Sequence, residues 1–228
     1  MDTKTEFTCQ YCKKSFQKET TLAVHVCELK KRYQSKNEQG IRLGLQAYLR
    51  FYEITQGSTK PKTFDDFAKS PYYRAFAKFG QYCIQIRAIN PAQLIEWLLK
   101  KNKKIDHWAK DSTYSEYLAE YIRIENVADA LVRAIERSIE WEEETGHPAH
   151  DMLRFGNSNA IAYAISTGRI SPWAIYNSES GQAFLEGLTP DQVQLIWGWI
   201  DPEFWQKKFK QYPADQAYAQ EILKQAGW

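Results

Sequence analysis

The stretch Phe7–Cys27, FTCQYCKKSFQKETTLAVHVC, is the point from which the rest of the chain is read. Cys9 and Cys12 stand three apart, Phe16 follows Cys12 by four, Leu22 follows Phe16 by six and His25 follows Leu22 by three. The pattern is Cys-x2-Cys-x3-Phe-x5-Leu-x2-His. A Cys-x2-Cys knuckle lets two thiolates reach one tetrahedral ion from a hairpin turn. Phe16 and Leu22 supply a small apolar core between that hairpin and a following helix. So short a piece cannot fold on burial alone and needs the binding energy of a metal.

With Cys27 added, these residues resemble a Cys2His2-type zinc finger in a Cys3His variant, over Phe7–Cys27. The resemblance implies a ββα module around a structural zinc ion. The departure is at the fourth ligand. The family places a second His or Cys about four residues after the first, one helical turn on, whereas here only Val26 separates His25 from Cys27. Residues two apart on a regular helix point roughly 200° away from each other. His25 and Cys27 can therefore share an ion only where the helix tightens or breaks after His25. The expected ligands are Cys9, Cys12, His25 and Cys27, since three of the four cysteines lie in the first 27 residues and no other His precedes residue 107. The alternatives are three ligands with a distant fourth, or no metal.

Docking as in the family would start the helix near Glu19 and put Lys18, Thr21 and Val24 at the base-reading positions of the major groove. Lys18 can donate to guanine, Thr21 can serve either way, and Val24 offers only apolar contact to a thymine methyl. One finger covers about three base pairs, so binding would lean on phosphate contacts from Lys13, Lys14, Lys30, Lys31, Arg32 and Lys36. The competing reading is a finger that grips protein or staples the N-terminus.

The 228 residues suit a small module, 1–35, and one sizeable domain, 36–228. The start, MDTKTEFTC, has no apolar run and no cleavage pattern, which is unlike a secretory signal. No stretch approaches the roughly 18 apolar residues of a membrane helix, so no membrane partner is expected. Four cysteines with Cys-x2-Cys spacing indicate metal ligands in a reducing, cytoplasmic compartment rather than a disulfide framework. Cys83 stands alone and reads as a small buried hydrophobe. The net charge of +2 conceals a division. Residues 1–110 hold 21 Lys and Arg against 10 Asp and Glu, a net of +11, and residues 111–228 hold 9 against 18, a net of −9. Such a split points to a polyanion for the first half and another partner for the second, or to solvated helix faces sorted by accident.

The body reads as all-α. Small polar residues stand just before proline at Ser70-Pro71, Asn90-Pro91, Ser171-Pro172, Thr189-Pro190 and Asp201-Pro202, each an N-cap followed by N1. Thr63–Asp66 is a weaker capping-box-like start. Ile41, Leu45, Tyr48/Leu49 and Tyr52 mark one helix, from Asn37 to about Gln56, and Leu94, Ile95, Leu98 and Leu99 another. Val127, Leu131, Ile135 and Ile139 step by four along a third, from about Asn126 to Thr145. Gly57–Lys62 reads as a loop. The eight tryptophans read mostly as core, with a few as stacking platforms or interface anchors.

Lys100, Lys101, Lys103 and Lys104 form either a phosphate-binding corner or a solvated helix C-terminus. Pro71–Phe79 mixes aromatics and cations and reads as base-stacking or, more simply, as an amphipathic helix. Glu142–Asp151 gathers acids with His147 and His150, but His-x2-His across a proline is not a ligand spacing with a mechanism behind it. No phosphate-cradling glycine loop, Gly-x-Ser-x-Gly elbow or His-Glu-x-x-His occurs, so no enzyme is expected. The finger, the Leu43–Tyr52 helix and the Lys60–Phe79 stretch together resemble uncharacterised tailed-bacteriophage proteins. That resemblance implies synthesis in an infected bacterial cytoplasm and involvement with phage DNA. The expected function is nucleic-acid binding, double-stranded DNA foremost, with a protein partner for the acidic half. An adaptor or virion component with purely structural zinc is the alternative, and a nucleic-acid-modifying enzyme using His147, His150 or carboxylates the third reading.

Overall fold

In the computed structural model the structure is described over residues 6–57 and 61–228, so Ser58, Thr59 and Lys60 of the expected loop lie outside the described residues. The expected class is the one found, an all-α body preceded by a small ββα-like module. The chain divides into two compact units, 1–114 and 115–228. The division closely follows the charge. The first unit carries 21 Lys and Arg against 11 Asp and Glu, a net of +10, and the second carries 9 against 17, a net of −8.

The first unit opens with β1 (Phe7–Thr8) and β2 (Ser15–Phe16), antiparallel with Phe7 opposite Phe16. Then come α1 (Glu19–Val24), α2 (Glu28–Gln34), α3 (Gln39–Gln56), α4 (Phe64–Lys69), α5 (Tyr73–Gln85) and α6 (Pro91–Lys100). Thr63 closes a full capping box on α4: Asp66 Oδ2 accepts the Thr63 N–H at 2.8 Å, and the Thr63 hydroxyl accepts the Asp66 N–H. Asn90 caps α6 as expected. Ser70 corrects the expectation. It ends α4, its N–H donating to Phe67 O, and its hydroxyl accepts from Tyr72, so a turn intervenes and α5 starts only at Tyr73.

The tightest packing joins α3 to α5. The buried residues of α3 are Gly40, Ile41, Gly44, Ala47 and Tyr48, while Leu45 and Leu49 are only half-buried. The stripe has shifted onto small residues because Gly80 of α5 lies against Gly40 and Gly44. A Cβ built on Gly80 would stand 1.9 Å from Gly40 O, so only glycine lets the backbones approach this closely. Beside this crossing, Trp108 packs edge-on against Phe76 and Phe79 and donates its indole N–H to Lys103 O at 2.8 Å.

The division into units falls inside α7 (Asp111–Tyr121). The second unit continues with α8 (Val127–Thr145), α9 (Met152–Phe155), α10 (Ser158–Ser166), α11 (Pro172–Tyr176), α12 (Glu179–Glu186), α13 (Pro190–Ile200), α14 (Pro202–Gln211) and α15 (Pro213–Gln225). Ser171, Thr189 and Asp201 each cap the helix that their proline begins. On α8 the buried positions are Val127, Ala130, Leu131, Ala134, Ser138 and Trp141, and Ile139 is exposed. Four residues turn the helix about 40° beyond a full circle, so a strict step of four drifts off the core face by its third repeat. Trp173, Trp205 and Phe209 form the aromatic centre of this unit. Six of the eight tryptophans are buried, while Trp199 is half-buried and Trp197 exposed. Among the described residues no helix is long and apolar enough to cross a membrane.

Candidate metal centre

The hairpin turn is closed by two backbone hydrogen bonds, Lys13 N–H to Cys9 O and Cys9 N–H to Lys14 O, both 2.9 Å, with Lys13 in the left-handed region at φ 61°. This turn buries Cys9 and brings Cys12 beside it. Helix α1 has only six residues, none of them buried, and its N-cap Lys18 makes no side-chain capping bond. Isolated helices this short are unstable in water, and Phe16 and Leu22 are only half-buried. Something other than apolar burial must hold the module.

The sequence requires the helix to break so that His25 and Cys27 can converge. It does so one residue earlier than His25. Helix α1 ends at Val24, His25 is extended (φ −68°, ψ 122°) and Cys27 is extended (φ −101°, ψ 164°). In extended backbone, residues two apart project to the same side. His25 and Cys27 therefore point together, while Val26 between them is 55% exposed. Cys27 then serves as N-cap of α2, its sulphur accepting the Lys30 N–H at 3.4 Å.

One ligand atom from each of Cys9, Cys12, His25 and Cys27 lies within 4.8 Å of the other three, and Cys12 Sγ is 3.3 Å from His25 Nε2. Ligands around a tetrahedral zinc ion are separated by about 3.5–3.8 Å, from bond lengths of roughly 2.0–2.3 Å. The cluster is thus the size of one such ion. Its donor set, three sulphurs and one imidazole, suits zinc among the common metals. The ring of Phe16 packs 4.7 Å from that of His25 and steadies it. The thiols respond unequally to their crowding. Cys9 is held below its ordinary range, chiefly by the Cys12 backbone N–H. At Cys12 the Lys14 backbone contact lowers the pKa, but burial and the Cys9 and Cys27 thiols outweigh it and raise the group. Ionising all three thiols at this separation requires a cation between them. Cys83 takes no part: it is 1% exposed, and burial pushes its thiol up to about 12.

The module is docked on its unit by aromatic contacts. Tyr11 packs 5.2 Å from Tyr33, Tyr33 packs edge-on against Phe64, and the Tyr33 hydroxyl donates to Asp65. The candidate nucleic-acid residues fall into two sets. Lys13, Lys14, Lys18, Thr21 and Lys31 are exposed, as are Lys100, Lys101 and Lys104, whereas Lys103 is half-buried with its ammonium 5.6 Å from the Trp97 ring. Arg32, Lys30 and Lys36 also make contacts within the protein, Lys36 while remaining exposed. Arg32 donates to Ala68 O at 2.6 Å and lies 4.3 Å over the Tyr73 ring, with a side chain only 16% exposed. Lys30 donates to His25 O at 3.1 Å, and Lys36 stands over the Phe64 ring. His147 stacks on Trp141, and His150 sits near Asp151. Neither joins a metal-compatible cluster among the described residues.

The capping role of Cys27 is signalled only by its place just before Glu28-Leu29-Lys30, and nothing in the sequence signals the inward use of Arg32. No family model, curated protein or solved structure matches this chain.

Proposed function

We propose that Cys9, Cys12, His25 and Cys27 hold one structural zinc ion, and that the module so fixed binds nucleic acid, duplex DNA foremost, through its phosphates. Four protein ligands leave no open position for a water, so the metal supplies folding energy rather than reactivity. Free thiols at all four cysteines suit a reducing compartment such as the cytoplasm. The observation that carries the binding reading is the set of exposed cations, Lys13, Lys14, Lys18 and Lys31, around that module in a unit of net charge +10. Val24, at the third base-reading position, is 78% exposed and can offer only apolar contact. Phosphate contacts therefore dominate and sequence discrimination is weak. The acidic unit, with Trp197 exposed on α13, is the part offered to a protein partner.

The test is fluorescence anisotropy of the zinc-loaded chain with labelled duplex DNA, single-stranded DNA and RNA over a range of salt. Each phosphate contact contributes a slope of about −0.9 on duplex DNA. Changing Lys13, Lys14, Lys18 and Lys31 together to Gln is expected to flatten the slope by about 3–4 and weaken all sequences alike. Arg32→Gln is expected to lower stability and leave the slope unchanged. An unaltered slope in the fourfold variant overturns the proposal.

A second reading rests on the Tyr11–Tyr33–Phe64 contact, in which the zinc module serves to staple the N-terminus to its unit and the chain is a protein adaptor. Negligible nucleic-acid binding at low salt, with a defined assembly by light scattering, would favour it.

A further inference from the structure

A cavity of 820 Å³ in the acidic unit has a wall that runs against the charge of that unit. It lies beside the Glu120–Val127 segment and α14, and Trp173 of α11 contributes to its wall. Three of the unit's nine Lys and Arg residues, Arg123, Lys207 and Lys208, line it. They are poorly neutralised. Arg123 lies 4.7 Å over the Phe204 ring and reaches Asp201 only at 4.0 Å. Lys208 stands 5.4 Å over Trp173 and 5.3 Å over Trp205, and donates to Arg123 O. Lys207 makes no ion pair in the described residues.

One donor of a lining residue is left without an acceptor. The indole N–H of Trp173 is buried with no partner, and a buried donor without an acceptor is rare in folded proteins. Glu125 also lines the cavity, but both its oxygens are taken: Ser171 donates to one at 2.7 Å and Arg133 to the other at 2.6 Å. With Glu125 answered by Arg133, three cations face two further carboxylates, Glu120 and Asp215. Apolar surface comes from Phe204 and from Ile124, a lining residue that is 72% exposed overall. The volume falls within the roughly 300–1,000 Å³ of sites that take small organic ligands.

We infer that this cavity binds a small organic monocarboxylate with an aromatic or apolar body, its carboxylate received by Lys208 and its body lying against Phe204 and Ile124. Burial holds the Lys208 ammonium below its ordinary pKa, and a carboxylate beside it restores the charged form. A dianion is disfavoured because Glu120 and Asp215 repel the second charge.

The experiment is isothermal titration of the full zinc-loaded chain with three probes sharing one ring system: 1-naphthylacetate, 1-naphthyl phosphate and 1-naphthalenemethanol. The carboxylate is expected to bind at one site per chain, at least tenfold tighter than the alcohol and tighter than the phosphate. Lys208→Met keeps a long stem over the two indoles and removes the charge. Ile124→Glu adds a carboxylate at an exposed position that the fold does not depend on. Each is expected to weaken the carboxylate at least tenfold, with Ile124→Glu leaving thermal unfolding unchanged. The inference is overturned by an alcohol that binds as tightly as the carboxylate, by a tighter phosphate, by wild-type affinity in Ile124→Glu, or by no binding of the carboxylate up to millimolar concentration.

Discussion

The sulphur of Cys27 accepts the backbone N–H of Lys30 at 3.4 Å, so one residue is both the fourth member of the metal cluster and the first residue of the cap of α2. A metal held by the cluster would therefore also fix where the helix starts. The two roles separate by substitution. Cys27→Ser and Cys27→Ala both remove a thiolate, and each is expected to cost about 3 kcal/mol of zinc binding, roughly 100-fold, as one share in four of the affinity of a structural site. Only Ser still accepts from Lys30. In the chelated protein Cys27→Ser is expected to exceed Cys27→Ala in stability by about 1 kcal/mol. Competition with a chromophoric chelator reads the first effect and urea unfolding the second. Wild-type zinc affinity in Cys27→Ala would move the fourth ligand elsewhere.

The thiols sort by environment in a way that labelling detects. With zinc bound, all four are expected to resist an aromatic disulfide reagent at pH 8. After chelation Cys9, Cys12 and Cys27 react, because they lie in a small module without a buried apolar core of its own. Cys83 does not react until the chain is unfolded. Its pKa of about 12 leaves about one thiol in ten thousand ionised at pH 8, and its 1% exposure blocks the reagent. A fourth thiol released by chelation alone would show that the metal holds more of the first unit than the N-terminal module.

Gly80 and Gly198 make opposite predictions for the same substitution. At Gly80 a Cβ meets Gly40 O at 1.9 Å and Gly44 N at 2.6 Å, both backbone atoms on the facing helix, so α3 and α5 must separate. Gly80→Ala is expected to destabilise the first unit by about 3 kcal/mol. At Gly198, inside α13, a Cβ meets nothing within 4 Å. Gly198→Ala is expected to stabilise by about 0.5–1 kcal/mol through the lower entropy of the unfolded chain. Thermal and urea unfolding of both variants check the pair, and a neutral Gly80→Ala would mean that the α3–α5 crossing is looser than described.

The contrast between caps and crossings shows where the sequence is legible. Thr63, Asn90, Ser171, Thr189 and Asp201 act on backbone atoms two or three residues away, so their cause lies in the local sequence. The metal cluster was legible for a related reason: its ligands sit at set spacings, and the two-residue gap from His25 to Cys27 already demanded a break in the helix. Gly40, Gly44 and Gly80 form a contact across about forty residues. The Gly40-x3-Gly44 spacing permits a close approach but does not say which helix arrives. Arg32 follows two lysines, and by sequence alone that run suggests a phosphate contact. The groups that claim it, Ala68 O and the Tyr73 ring, are supplied by tertiary packing alone. Glu125 had no signal either, since Ser171, its partner, lies 46 residues on.

Glu125 carries a pH dependence whose sign follows from its burial. Loss of water raises its pKa, and this outweighs the opposing pull of Arg133, the Ser171 hydroxyl and Lys208. An acid whose pKa is higher folded than unfolded binds more protons in the native state. Its contribution to stability is therefore full below the unfolded value of about 4.3 and falls as pH rises through the folded value. Gln at this position does not titrate, so the comparison isolates the group. The stability of the wild type relative to Glu125→Gln is expected to decline from pH 4 upward and to level off once the buried carboxylate is ionised. Urea unfolding followed by tryptophan emission, with midpoints taken at half-unit steps of pH, measures it. A difference that grows with pH would mean that Arg133 and Ser171 over-compensate burial and hold Glu125 ionised more firmly than water does.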